Sequence, residues 1–138
     1  VMLSAATRAG QRRWLINDLI YKPDEYPIVV QEGTTEVWEI CNDERRMPHP
    51  MHLHGFRFRV LERRNSPSQV AETRVDEEGR TATDLGWKDT VLVWPGETVR
   101  IAIEFSHDFD GEQLYLFHCH ILEHEDAGMM INYKVVGP

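Results

Sequence analysis

Residues 98–105, Thr-Val-Arg-Ile-Ala-Ile-Glu-Phe, put Val99, Ile101, Ile103 and Phe105 at every second position. A helix would scatter these four side chains around its circumference. An extended strand sends all of them to one face. The habit recurs along the chain. Phe56, Phe58 and Val60 alternate with Arg57, Arg59 and Leu61, and in the stretch 35–42 Trp38 and Ile40 oppose Val37, Glu39 and Cys41. Similar runs at 13–17, 26–31, 89–94, 114–119 and 130–136 read as further strands, with Glu32-Gly33 and Pro95-Gly96 as turns. Only 121–127 reads as a helical turn. The polar segment 62–85 reads as a long loop with at most one short strand.

Seven to nine short strands with regular turns predict an all-β fold, an antiparallel Greek-key β-sandwich. With no repeat and no linker, residues 1–138 read as a single domain, long enough to bury one core. A net charge of -8 argues against a nucleic-acid partner, since phosphate contacts need a basic face. No apolar run reaches the roughly 20 residues of a membrane span.

Two short segments concentrate metal-binding side chains. The first is His49-Pro50-Met51-His52-Leu53-His54-Gly55, and the second is His118-Cys119-His120, followed by His124 and Met129. Two His, a Cys and a weak axial Met make the trigonal blue-copper arrangement. Cys119, His124 and Met129 are each five residues apart, so one loop can fold them around an ion, and His49 would close the plane. Structural zinc draws on more cysteines than this, often as a Cys-x₂₋₄-Cys pair, and none is present. A lone His in a β protein is usually a surface or satisfied core residue. Six histidines in two compact motifs are a different matter.

In an extended strand His52 and His54 aim together, as do His118 and His120, while Cys119 points the other way. One strand therefore offers a thiolate on one face and two imidazoles on the other. His107 lies outside both motifs and reads as an ordinary loop residue. Cys41 reads as a small buried hydrophobe, Met2, Met51 and Met130 as core, and Trp14, Trp38, Trp87 and Trp94 as packing. With Cys119 on a metal, Cys41 has no disulfide partner within the chain.

The segments HPMHLHG and HCHILEHEDAGMM resemble the two C-terminal copper motifs of multicopper oxidases, and GWKDTVLV at 86–93 resembles the bacterial strand between them. The resemblance spans about 13–136. It implies a cupredoxin-like domain, the third of a three-domain, laccase-like oxidase. By resemblance, His49, Cys119 and His124 hold a type 1 copper with Met129 axial, His52 serves the type 2 copper, and His54, His118 and His120 serve the type 3 pair. Electrons from a small-molecule reductant, a phenol or aromatic amine, would enter at an exposed edge of His124 or His49. They would pass from Cys119 to His118 and His120, and the trinuclear cluster would reduce O2 to water. Glu125 would be a proton relay and Asp89 a group steadying a ligand imidazole. Residues 62–85 would be the place for substrate contacts. No methionine-rich insert favours a cuprous-oxidase reading. A periplasmic or secreted location is likewise implied by resemblance.

The family's cluster takes eight histidines, and this chain offers four. The remaining cupredoxin domains must then lie on another chain or be absent. A stand-alone blue-copper electron carrier and a copper-storage module are the competing expectations.

Overall fold

The computed structural model describes residues 1–8, 10–43 and 45–137. Among them ten strands form two five-stranded sheets. The first sheet holds β1 (Met2–Arg8), β2 (Gln11–Ile16), β4 (Thr34–Asn42), β6 (Phe58–Arg64) and β8 (Thr98–Phe105), ordered β2-β1-β4-β8-β6. The second holds β3 (Ile28–Gln31), β5 (His49–Leu53), β7 (Thr90–Val93), β9 (Gln113–Cys119) and β10 (Met130–Val136), ordered β3-β10-β9-β5-β7.

The sheets bury their alternating faces against each other. Val99, Ile101, Ile103 and Phe105 are all 0% exposed, as the period of two in 98–105 requires. Opposite them on β4, Trp38 pairs with Ile101 and Ile40 with Val99. Met51, Leu53, Phe117, Cys119 and Met129 bring the second sheet into the same core.

The sandwich is not wholly antiparallel, because β1 runs parallel to β4 and β3 parallel to β10. Alternation fixes which face is buried, and it carries no information on strand direction. β1 was not foreseen, since among its described side chains only Leu3 is fully buried and the sequence of Met2–Arg8 has no apolar period. Met2 itself is 40% exposed and outside the core.

Segment 62–85 is better ordered than a plain loop. β6 continues to Arg64, a short helix α1 (Ser68–Ala71) follows, a bridge joins Arg74 to Thr81, and a 3-10 turn spans Ala82–Asp84. Arg63 pins it inward. Its guanidinium donates to both carboxylate oxygens of Asp84 at 2.7 and 2.8 Å, to Glu97 at 2.8 Å and to the Leu92 carbonyl at 3.0 Å. These partners keep a buried charge from being an orphan.

Candidate metal centre

The two motifs meet because β5 and β9 are neighbours. Met51 pairs with Cys119, His52 with His118 and Leu53 with Phe117. Each pair of partners shares a face, so the register sorts the side chains into two sets. Met51, Leu53, Phe117 and Cys119 face the core together with His49, whereas His52 and His118 face outward.

On the inner side, the Cys119 Sγ lies 3.7 Å from the His49 Nδ1 and 3.5 Å from the His124 Nδ1. His124 comes from helix α2 (Leu122–Asp126), which follows β9 directly. Met129 is fully buried in the same cluster. Its N–H donates to the His124 carbonyl at 2.8 Å, and its carbonyl accepts from the Cys119 N–H at 3.0 Å. The loop thus closes on itself and keeps Cys119, His124 and Met129 together.

These distances suit a shared ion. With metal–sulfur and metal–nitrogen bonds of about 2.3 and 2.0 Å, trigonal or tetrahedral geometry puts S and N roughly 3.5 to 3.7 Å apart. The protonation chemistry points the same way. Burial, then the neighbouring His124, lowers the His49 pKa from 6.5 to about 4, so its ring stays neutral with a lone pair free. The His49 Nε2 is buried without a hydrogen-bond partner. A site using Nδ1 alone explains why the ring is there. Burial also raises the Cys119 thiol from 9.0 to about 11, so the ligand thiolate forms only when a cation replaces the proton.

On the outer side, His52, His54 and His118 form a second group with ligand atoms within 4.8 Å of one another. The His54 and His118 Nε2 atoms are 2.9 Å apart, close enough to share a proton. Burial, then His118 and His52, lowers the His54 pKa. His120 sits at the rim, its ring centroid 5.5 Å from that of His118 and 5.6 Å from that of His52. The N–H on His118 Nδ1 donates to the Cys119 carbonyl at 3.0 Å, leaving its Nε2 available.

The N–H on His52 Nδ1 is shared between the Asp89 carbonyl at 3.0 Å and the Thr90 hydroxyl at 2.9 Å. Such a partner fixes the tautomer of a metal-binding imidazole. Asp89 therefore acts through its main chain. Its carboxylate is 3.7 Å from the ring and accepts from Thr90 instead. Thr90 was not singled out in the sequence, although a hydroxyl one residue beyond Asp89 was the available signal. Glu125 reaches to 3.7 Å from His118 Nδ1, near but not bonded.

Several expectations change. His49 and His124 are 0% and 4% exposed, so neither offers an edge to solvent. Trp14 covers them, 3.9 Å from the His124 ring and 5.4 Å from that of His49 between centroids. His107 lies in a loop as expected, with its side chain 5% exposed beside Phe56 and Phe109. Trp87 is 48% exposed and carries the guanidinium groups of Arg57 and Arg59 over its ring, rather than filling the core. Cys41 is only half-buried and accepts from the Thr98 hydroxyl at 3.3 Å.

Comparison with known proteins places this arrangement. The chain is 37% identical to a laccase of Haloferax volcanii over 99% of its length, and 42% identical to a laccase of Bacillus subtilis over 77%. It spans 21% of each relative. The crystal structure of the McoA multicopper oxidase from Aquifex aeolicus superposes with a TM-score of 0.77 at 39% identity, covering 99% of this chain and 29% of that one. The family model described as multicopper oxidase matches residues 2–137. Sequence, fold and ligand geometry agree, and the chain belongs to the multicopper oxidase family.

Proposed function

We propose that this chain is the electron-accepting, cluster-sharing part of a laccase-like copper oxidase. His49, Cys119 and His124, with Met129 axial, would hold the type 1 copper. His52 would serve the type 2 copper, and His54, His118 and His120 the type 3 pair. Bound there, copper supplies one-electron exchange with a reductant and, at the cluster, reduction of O2 to water. The observation that carries this reading is the division of β9, with Cys119 in the core and His118 on the outer face. An isolated electron carrier has no use for the outer imidazoles, and histidines kept without metal or partner would be costly.

The protein's own residues do three things. The core around Cys119 keeps water from the thiolate. His118 is joined to Cys119 both through the peptide bond and through its Nδ1–H to the Cys119 carbonyl, a short route between the two faces. Glu125, 3.7 Å from His118, would deliver protons to the outer face. Four histidines of the remaining cupredoxin domains, on another chain or elsewhere in the polypeptide, would complete the cluster. The share of 21% that the chain spans in its laccase relatives leaves room for them. The reductant would be a phenol or aromatic amine and the location periplasmic or secreted, in keeping with the laccases it resembles.

Absorption and paramagnetic spectra of Cys119→Ser in the copper-loaded native assembly test the ligand assignment. The intense blue band should vanish while a type 2 copper signal persists. A blue band that survives would refute the assignment.

A further inference from the structure

Along the edge strand β6 and the residues just before it, the exposed Arg57 and Arg59 alternate with the buried Phe56 and Phe58. Both guanidinium groups lie over Trp87, 5.5 and 4.6 Å from its ring centroid. The main chain fixes this meeting. The Phe58 N–H donates to the Lys88 carbonyl at 2.7 Å, and the Lys88 N–H donates back to the Phe58 carbonyl at 2.8 Å. Arg63, Arg64, Arg80 and Arg100 each pair with a carboxylate. Among the described residues Arg57 and Arg59 pair with none, although the chain carries a net charge of -8. Leu85 and Trp87, 51% and 48% exposed, add apolar surface to this basic island.

We infer that Arg57, Arg59 and Trp87 form a docking surface for a carboxylate-bearing segment of the domain that brings the remaining cluster histidines. The inference rests on the oxidase reading above. Charge sets the chemistry of the partner. A guanidinium stacked on an aromatic face keeps its in-plane N–H donors free, and a carboxylate takes two of them at once. Trp and Arg are also the side chains that most often anchor interfaces. Position sets its identity. Arg57 follows His54 by three residues, and Trp87 precedes Asp89 by two. The Asp89 carbonyl accepts from the Leu53 N–H at 2.9 Å and from the His52 Nδ1–H at 3.0 Å. The island therefore borders the outer histidines. A domain whose own imidazoles must meet His52, His54, His118 and His120 needs a fixed orientation, and a charged contact beside them supplies it.

The test uses the copper-loaded native assembly with the photo-reactive residue p-benzoylphenylalanine in place of Leu85, beside the island. Irradiation followed by mass spectrometry identifies what lies there. Cross-links should join it to an acidic segment of the histidine-bearing domain. Their yield should fall by about tenfold or more with Arg57→Gln and Arg59→Gln together, the scale of a lost interface anchor. The blue band should keep its position and intensity in both proteins. Cross-links to another copy of this chain alone, a yield indifferent to the two arginines, or no cross-link at all overturns the inference. Hydroxyl-radical labelling of the unaltered assembly gives a second reading. Trp87 should be shielded there, and labelling as fast as in the unfolded chain overturns the inference. An unaltered assembly with no blue band would instead refute the oxidase reading beneath it.

Discussion

Cys119 and His49 carry their chemistry in their protonation states. The folded protein holds His49 neutral down to about pH 4, whereas the unfolded chain protonates it near 6.5. A lowered pKa gives stability that is complete above 6.5 and is lost as pH falls through 4. The metal-free protein should therefore lose up to about 3 kcal/mol across that window. Urea midpoints measured above and within it test this, and His49→Gln should flatten the slope. Cys119 works in the opposite sense. Its thiol, raised to about 11, adds stability below 9.0 that disappears as pH rises through 11. Below 9.0 copper must displace the Cys119 proton. Binding should release that proton, and affinity should rise by about tenfold per pH unit from this group alone. Calorimetry in buffers of different ionisation enthalpy counts the protons, and a count of zero would exclude Cys119 as a ligand. Gly55 acts by its absence of a side chain. At a φ of 84° a Cβ there would stand 2.3 Å from the Tyr115 ring, in the turn just after His54. Gly55→Ala should cost about 1–3 kcal/mol and disturb the outer histidines first, which thermal melts and type 2 copper content would register.

Among the elements, those with a clean alternation were legible. The stretch 98–105 forms a strand to the residue, and the two faces of 35–42 are as the apolar pattern requires. The ligand segments were legible too, because residue type and spacing alone divide Cys119 from His118 and His120. Strand β1 was not, since a strand that buries little apolar surface leaves no periodic trace. The parallel pairings escaped because alternation fixes the buried face and not the direction of the strand. The cover over His124 was equally hidden, because Trp14 is 110 positions away in the chain and meets it only through the packing of β2 against the α2 loop. The anchoring of segment 62–85 rests on tertiary contacts as well. There Arg63 sits between Asp84 and Glu97, with side chains 5%, 2% and 0% exposed. Removing the cation leaves two carboxylates buried and unpaired, so Arg63→Met should destabilise the protein by about 3–5 kcal/mol. Chemical denaturation would measure it, and a loss below about 1 kcal/mol would mean the carboxylates find water or protons instead.

At the scale of the whole molecule, one sheet separates two groups of side chains that could each hold a metal ion. Its inner face gathers a thiol, two imidazoles and a buried Met129. Its outer face gathers four imidazoles, with His120 exposed at the rim. Among the described residues no helix is long and apolar enough to cross a membrane. The inner set is complete within the chain. The outer set is half of what the proposed cluster takes, so the proposed function assigns oxidase activity to the assembly and electron acceptance to this domain. Elemental analysis of copper per chain in the purified native assembly tests that division most directly. About four coppers per chain are predicted, one blue and three shared with partner histidines. About one per chain would contradict the shared cluster and leave a mononuclear electron carrier.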